Sequence, residues 1–586
     1  MRYEWNLDLL SNNNKWEIEY TNLKKQVNYY LTNIDKILEN KEIFLKSLKE
    51  YIEINKMIEI VYCYPRRNLD LDITNEKYQQ MFNKALELYQ DILKLINLFE
   101  KIIINNIDIV NDYLNCDEFS EYKRYINLII RKKDHMLEDD EFKAKYVKKV
   151  EEIKSKYQTL FNNGFEIKNI QIEGKKVDIN RKNYNELMLD KNQSNRKIVF
   201  DAYTKEYENC NEVLASIFIE KIKTDLELAI KENYPTLLSK KLYELELNDK
   251  IVENLIEQVN KYLYVMHKYL KLKKEVLGLE TMHFYDATQS LCSIPQVKYD
   301  ILEGIDIVKN SLSPLGKNYI EIIDKMFKEG WIDIYPKDNK RSNSYTCMSY
   351  VGVPYILMNY TNDLNSVRTL AHEIGHSINA YYAKINNQFQ NFEISYFLTE
   401  IASKVNEMLF NHYMINNCKT EEEKIYILNN IISSLGNSLF GQVMLTEFEH
   451  QINQKIQLQE ELNSNIVNNI YLELSKKYNG DSIVYDENTK YGWSKTQHFF
   501  IQDSYYLYQY SIGAAISYNI SKRIIDDEPQ IVDKYIKFLS IGNSLSIKES
   551  LAYLDIDLEK DDYIGQVISL LDDSINQLSK IKRIKK

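Results

Sequence analysis

The chain has 586 residues and a formal net charge of −11 at pH 7. A nucleic-acid partner is not expected, because binding phosphates requires a positive surface. A hydrophobic share of 44% with 27% charged residues is typical of a globular protein, and this length predicts at least two lobes.

The sequence also bears on the compartment. Its six cysteines are far apart and form no Cys-x-x-Cys pair, which suits a reducing environment. The residues after Met1 contain no apolar run like that of a signal peptide. No stretch of about 18 apolar residues occurs, so no membrane partner is expected. We therefore predict a cytoplasmic protein.

The pattern of helix breakers predicts a mostly α fold. Only 15 glycines and 7 prolines occur, well below the usual shares of about 7% and 5%. Apolar residues recur at helical spacing up to about Phe161. Alternating apolar residues around Gly174 then predict a small hairpin at 169–179. We place a boundary after it, which predicts an N-terminal helical lobe at 1–190 and a second domain at 191–586.

The least helical part of the chain holds four of the seven prolines within 60 residues, from Pro295 to Pro354. The apolar run at 354–360 predicts a buried strand in a small β subdomain. Residues 361–363, Thr-Asn-Asp, can cap the helix that follows.

That helix carries His372-Glu373-Ile374-Gly375-His376. A four-residue step turns about 400°, so both imidazoles project from nearly one side. This spacing allows two nitrogens to bind one zinc ion at about 2.0–2.1 Å. Glu373 is rotated about 100° from His372 and would lie beside the metal as a general base.

A catalytic zinc ion needs a third protein ligand and keeps its fourth position for water. Three downstream carboxylates are within reach in sequence, Glu393, Glu400 and Glu407, and spacing alone does not choose among them.

A further cluster begins at His498, which opens a run of aromatic residues that ends at Tyr510. The run is equally compatible with an amphipathic core helix and with hydrogen-bond donors to the oxyanion of peptide hydrolysis.

Several stretches beyond the motif carry a family resemblance. They are Trp5-Asn-Leu, the hairpin around Gly174, Pro314-Leu-Gly-Lys-Asn-Tyr319, Gly330-Trp-Ile-Asp333, Lys340-Arg-Ser342, residues 354–360 and 369–377, Tyr508-Gln-Tyr510 and Gly542-Asn-Ser544. Together they resemble oligoendopeptidase F, within the thimet oligopeptidase-like zinc metallopeptidases. The resemblance implies a two-lobed helical clamshell with a deep channel for short, unstructured peptides. Segment 342–350 lacks glycines usual in that family, so cleavage preference does not follow from the resemblance.

The resemblance also implies roles for individual residues. The element Glu400-Ile-Ala-Ser403 matches the family's third zinc ligand, which gives the metal set His372, His376 and Glu400. Glu407 then becomes a residue that orients a ligand histidine. His498 and Tyr508 match residues that face the substrate, and Tyr505 is a further candidate for substrate binding.

These assignments predict a zinc endopeptidase with one zinc ion per chain and 191–586 as its catalytic domain. Zinc-bound water is the nucleophile, Glu373 is the general base and then the general acid, and His498 and Tyr508 stabilise the oxyanion. Two alternatives stay open: a zinc carboxypeptidase of similar build, and a peptide-binding protein with an idle zinc site. The sequence does not indicate an oligomeric state.

Overall fold

The computed structural model describes residues 1–164, 167–292, 297–560 and 562–581. These residues are mainly helical, which confirms the predicted mostly α fold. None of their helices is both long enough and apolar enough to cross a bilayer.

The first twelve helices are α1 (Asn13–Asn33), α2 (Lys41–Leu71), α3 (Glu76–Asn105), α4 (Ile107–Leu114), α5 (Lys123–Ile130), α6 (Asp140–Gly164), α7 (Tyr184–Leu187), α8 (Gln193–Asn209), α9 (Asn211–Lys231), α10 (Leu237–Glu244), α11 (Lys250–Lys261) and α12 (Leu263–Val276). The remaining helices are α13 (Ile301–Leu312), α14 (Lys317–Glu329), α15 (Leu364–Asn386), α16 (Tyr396–Asn417), α17 (Glu421–Gly436), α18 (Gln442–Gln457), α19 (Ser464–Asn479), α20 (His498–Ile501), α21 (Tyr508–Ile525), α22 (Ile531–Leu539), α23 (Ile547–Ala552) and α24 (Tyr563–Lys580).

Five short strands in the described part of the chain form two sheets. Strands β1 (Ile167–Ile172) and β2 (Lys175–Ile179) pair antiparallel, with Ile170 opposite Val177. Strands β3 (Ile332–Asp333), β4 (Tyr345–Cys347) and β5 (Tyr355–Leu357) form a three-stranded sheet in the order β3-β5-β4. The strand predicted at 354–360 is thus present but shorter.

Local chemistry explains many element ends. Several helices start at an asparagine whose side chain accepts a backbone N–H of the first turn, as Asn12, Asn40 and Asn75 do. Helix α14 ends at Gly330, which has φ 77°. Glycine adopts this left-handed conformation without steric cost, so the chain can turn directly into β3.

The backbone contacts group the chain into two compact units. Unit 1 comprises residues 1–134, 296–413 and 520–556, and unit 2 comprises residues 135–295, 414–519 and 557–586. A division at residue 190, and the clamshell and channel that the resemblance implies, stay predictions.

Unit 1 contains the motif helix α15, which is buried along most of its length. The hydroxyl of Ser377 donates to the carbonyl of Pro354 at 2.9 Å, which ties α15 to the start of β5. The Asn379 amide donates to the carbonyl of Leu539 at the end of α22, 3.0 Å away. The start of β5 and the end of α22 therefore both hold this helix in place.

Unit 2 contains the hairpin and the helices α6–α12 and α17–α20. Its interior includes a charged pair: Arg196 in α8 lies 2.6 Å from Asp286, and both side chains are almost fully buried. Arg196 also donates to the carbonyl oxygens of Asp190 and Lys191, which satisfies further donors of the buried guanidinium.

A buried lysine anchors the three-stranded sheet of unit 1. The Lys340 ammonium lies 2.7 Å from Asp333 Oδ1 and donates to the carbonyls of Tyr335 and Met358, both at 2.6 Å. Neither side chain of the Lys340–Asp333 pair is accessible to solvent beyond 1%. Lys340 thus joins Asp333 of β3 to Met358, the residue that follows β5. These contacts fix the sheet next to α15.

We expect Lys340→Met to destabilise the protein by about 3–5 kcal/mol, because it leaves the buried Asp333 carboxylate without its main partner. Guanidinium unfolding would measure this change. Lys317→Met is the matched control, since the Lys317 side chain is 87% exposed and its loss should change stability by less than about 0.5 kcal/mol. Equal guanidinium unfolding midpoints for the two variants would show that Lys340 does not anchor the sheet.

Candidate active site

The motif helix begins where the sequence predicts. Asp363 is its N-cap, and the carboxylate accepts the backbone N–H of Ser366 at 2.8 Å. His372 and His376 lie one turn apart, with their rings inclined at 82° and their Nε2 atoms 3.2 Å apart. Two imidazole nitrogens that face each other this closely repel through their lone pairs unless a cation or a shared proton lies between them.

Helix α16 brings a carboxylate to the same point. The Glu400 oxygens lie 3.8 Å from each of the two histidine Nε2 atoms. One ligand atom from each of the three residues falls within 4.8 Å of the others. Ligand atoms about 2.1 Å from a tetrahedral zinc ion lie about 3.4 Å apart. The two nitrogens and the carboxylate therefore match a zinc site in both chemistry and spacing.

The side chain of Glu400 is 42% exposed, whereas that of His376 is almost buried. The set thus has one open side, as a catalytic metal site requires for water or substrate.

Close packing of two helices makes this geometry possible. A Cβ atom added at Gly375 would lie 2.6 Å from the Ala402 carbonyl oxygen and 2.6 Å from Ser403 Cα. Only a residue without a side chain allows α15 to approach the α16 backbone this closely. The Asn406 amide of α16 also donates to the carbonyl of Ala371 at 2.9 Å.

Glu407, another of the three candidate carboxylates, contacts the Nδ1 atom of His372. Its Oε1 is 2.5 Å from His372 Nδ1, so Nε2 is the nitrogen left for a metal. Although burial opposes ionisation, the hydrogen bond from His372 and the charges of Lys404 and Arg368 hold the pKa of Glu407 far below its usual range. Its predicted orienting role stays a prediction.

The two histidines differ in their electrostatics. Burial, together with the nearby His372, lowers the pKa of His376 to about 4. Burial also acts to lower the pKa of His372, but the hydrogen bond and charge of Glu407 outweigh it and raise that pKa. His376 is therefore neutral at physiological pH, which is the protonation state that binds a metal.

Glu373 lies next to the ligands and is only 5% exposed. Burial raises the pKa of its carboxyl, while His372 and the hydroxyl of Thr346 act in the opposite direction. Thr346 Oγ1 is 2.6 Å from Glu373 Oε2. Thr346 could not be identified from the sequence, because it is 27 residues from Glu373 and belongs to no metal motif.

His498, in unit 2, is part of an aromatic cluster. Its ring lies 5.9 Å from that of Tyr506 and 6.1 Å from that of Tyr510, and the two tyrosine rings are 5.5 Å apart. His498 and Tyr506 are partly exposed and Tyr510 is 38% exposed. Burial lowers the pKa of His498, so its ring is neutral at physiological pH.

Tyr505 and Tyr508, the two tyrosines predicted from the sequence, are both buried. Tyr508 is fully buried, with 0% of its surface exposed. Tyr505 is also buried: its hydroxyl lies 3.1 Å from His450 Nδ1, and its N–H donates to Glu449 Oε1 at 3.0 Å. This burial favours packing roles for both, and their predicted substrate contacts stay predictions.

Paired histidines on one helix, a glutamate after the first and a carboxylate from the next helix define the metallopeptidase class of site. Comparison with known proteins gives the family: residues 186–570 match the description Peptidase family M3. The chain belongs to this family of zinc metallopeptidases, and it is a peptide hydrolase.

Relatives match nearly the whole chain. An oligoendopeptidase F homolog from Borreliella burgdorferi is 29% identical over 584 residues, or 99% of this chain and 98% of the relative. Oligopeptidase PepF from Bacillus subtilis is 28% identical over 583 residues, or 98% and 87%. A crystal structure of a Chlamydophila abortus chain described as a peptidase superposes with a TM-score of 0.92 at 25% identity, covering 98% of both chains. The predicted resemblance is confirmed.

We expect Gly375→Ala to lower both the unfolding temperature and the zinc content, because the new methyl group must push α15 and α16 apart. Differential scanning fluorimetry and atomic absorption would measure the two effects. Gly513→Ala, also in a helix, is the control: nothing lies within 4 Å of its Cβ position, and it should be neutral or stabilising by up to about 1 kcal/mol. If Gly375→Ala had the unfolding temperature and zinc content of the wild type, the site would not need the close approach of α15 and α16.

Proposed function

We propose that this protein is a zinc endopeptidase that hydrolyses internal bonds of short, unstructured peptides. The observation that carries the proposal is the set His372, His376 and Glu400 with the buried Glu373 carboxylate beside it. Relatives that bear the name oligoendopeptidase over nearly the full chain length support it.

The two histidine Nε2 atoms and the Glu400 carboxylate would hold the zinc ion. When bound, zinc supplies Lewis acidity that polarises a peptide carbonyl and brings the pKa of a water molecule towards about 7. Glu407 would keep the His372 ring oriented through its contact with Nδ1.

Glu373 would transfer the protons of the reaction. Its carboxylate accepts a proton from water as the oxygen attacks the peptide carbonyl carbon, and it then gives that proton to the departing amine nitrogen. The raised pKa that burial causes suits this double task, because the group must both take up and release a proton near neutral pH.

Residues of the aromatic run that begins at His498 would bind the substrate and stabilise the oxyanion. The donors would be His498 and a tyrosine of the run that follows it. The sequence predicts Tyr508 as this tyrosine, with Tyr505 as a further substrate contact. The partial exposure of Tyr506 and Tyr510, and their ring contacts with His498, favour these two instead. Loss of one oxyanion donor typically lowers turnover about 10²–10³-fold.

We also propose a cytoplasmic location. All six cysteines are free thiols in the structure, which suits a reducing compartment. A cytoplasmic peptidase of this kind would act on peptides that are already short and unfolded.

The decisive experiment uses an internally quenched peptide of about ten residues, blocked at both ends, with and without a zinc chelator. We expect cleavage of an interior bond that the chelator abolishes, because the ligand set is built for a metal. Glu373→Gln is the matched variant: it keeps shape and zinc content but cannot accept a proton, so cleavage should be lost.

Other outcomes would replace the proposal. Cleavage only after the C-terminus is unblocked would indicate a carboxypeptidase. Peptide binding without cleavage by zinc-loaded protein would indicate a binding protein. Substantial cleavage by Glu373→Gln would exclude Glu373 as the general base.

We expect Glu400→Ala to reduce zinc content well below one ion per chain, because two imidazoles alone hold zinc weakly. Atomic absorption after dialysis against a weak chelator would measure the occupancy. Glu393→Ala, which removes one of the other two carboxylates, is the control and should retain zinc. Full occupancy in Glu400→Ala would contradict the ligand assignment.

A further inference from the structure

Strand β4 lies between two helices that the sequence places far apart. Successive side chains of a strand point to opposite faces, so Tyr345 and Cys347 share one face and Thr346 has the other. The strand is held in the sheet by antiparallel pairing with β5, where Thr346 lies opposite Ile356.

The face with Tyr345 and Cys347 is attached to helix α2. The Tyr345 hydroxyl donates to Asp70, and Arg67 donates to the Tyr345 oxygen at 2.7 Å and to Cys347 Sγ at 2.6 Å. Asp70 is also 2.9 Å from the Arg341 guanidinium, just before the strand. These charge-assisted contacts fix the strand on both sides of Thr346.

The other face of the strand meets the motif helix. Thr346 Oγ1 lies 2.6 Å from Glu373 Oε2 and 3.0 Å from the Glu373 backbone carbonyl. A separation of 2.5–2.7 Å is typical of a hydroxyl that donates to an ionised carboxylate. The backbone carbonyl of a mid-helix residue already has a helical partner, so the carboxylate is the acceptor that needs the hydroxyl.

We propose that Thr346 is a positioning residue for the catalytic carboxylate of Glu373. Its hydroxyl holds Oε2, which fixes the rotamer of a side chain that is almost fully buried and leaves the other oxygen to exchange the proton. The strand, fixed to α2, supplies a rigid support for that hydroxyl. This inference rests on the proposed function, in which Glu373 is the general base.

The expected signature is in turnover rather than in substrate affinity. Thr346→Val keeps the branched shape and removes only the hydroxyl. Since a hydrogen bond to a charged group contributes enough for about a tenfold to hundredfold effect, kcat should fall by that factor. KM should stay within about twofold, because no substrate contact is removed. Thr346→Ser restores the hydroxyl and should keep kcat within about threefold of wild type.

The experiment measures kcat, KM, zinc content and unfolding temperature for zinc-loaded wild type, Thr346→Val and Thr346→Ser. Thr446→Val is the matched control. Thr446 is buried whereas Thr346 is partly exposed, and the Thr446 hydroxyl donates only to a carbonyl of its own helix α18, Gln442 O at 2.8 Å. This control should leave kcat unchanged.

A thermal double-mutant cycle adds a readout that does not depend on activity. Thr346→Val should lower the unfolding temperature more in the presence of Glu373 than in a Glu373→Ala background, where no carboxylate remains to be held. Equal shifts in the two backgrounds would show that the residues are not coupled and would overturn the inference.

The remaining outcomes are also decisive. Unchanged kcat in Thr346→Val, or an equal loss in Thr346→Ser, overturns the positioning role. If Thr346→Val loses zinc or does not fold, Thr346→Ala removes the hydroxyl without adding atoms, and the same criteria apply to it. Failure of the proposed function itself is recognised separately, because then wild type would not cleave the peptide or Glu373→Gln would remain active.

Discussion

The candidate site depends on the contact between α15 and α16 at Gly375. The two histidines belong to α15, and the carboxylates Glu400 and Glu407 belong to α16. The distance between the two helix backbones therefore determines whether the histidines and Glu400 can bind the same ion. A methyl group at position 375 would already overlap the Ala402 carbonyl. Gly375 therefore contributes to the site by allowing close packing of the two helices, whereas His372, Glu373 and His376 contribute functional groups.

Support for this pair of helices comes from elements that carry no ligand. The Lys340–Asp333 pair fixes the sheet, Ser377 ties the motif helix to the start of β5, and β4 extends between α2 and Glu373. These contacts are buried or partly buried, where charged and polar interactions are strong if all partners are satisfied. The result is a rigid frame around groups that must keep their geometry during a reaction.

The sequence predicted the parts of the site that depend on local spacing. The motif helix, its Asp363 cap and the shared side of His372 and His376 follow from helical periodicity, and the scarcity of glycine and proline predicted the mostly α fold. Spacing could not choose among Glu393, Glu400 and Glu407, because that choice depends on how α16 packs. Thr346 was not predictable either, since its role arises from a contact across 27 residues.

The aromatic run after His498 shows a second limit of prediction from the sequence. Residues 502–507 lie outside the helices α20 and α21, so no single helical period across the run tells which rings face the solvent. The structure buries Tyr505 and Tyr508 and leaves Tyr506 and Tyr510 beside His498.

The bond between Asn379 and Leu539 has a consequence for biosynthesis. It joins positions 160 residues apart, and at about 5–20 residues per second a ribosome needs about 8–30 s to make that interval. Until then the motif helix lacks the C-terminal segment that covers one of its sides. A nascent chain therefore contains the motif helix before residue 539, one of the packing partners of that helix, has been synthesised.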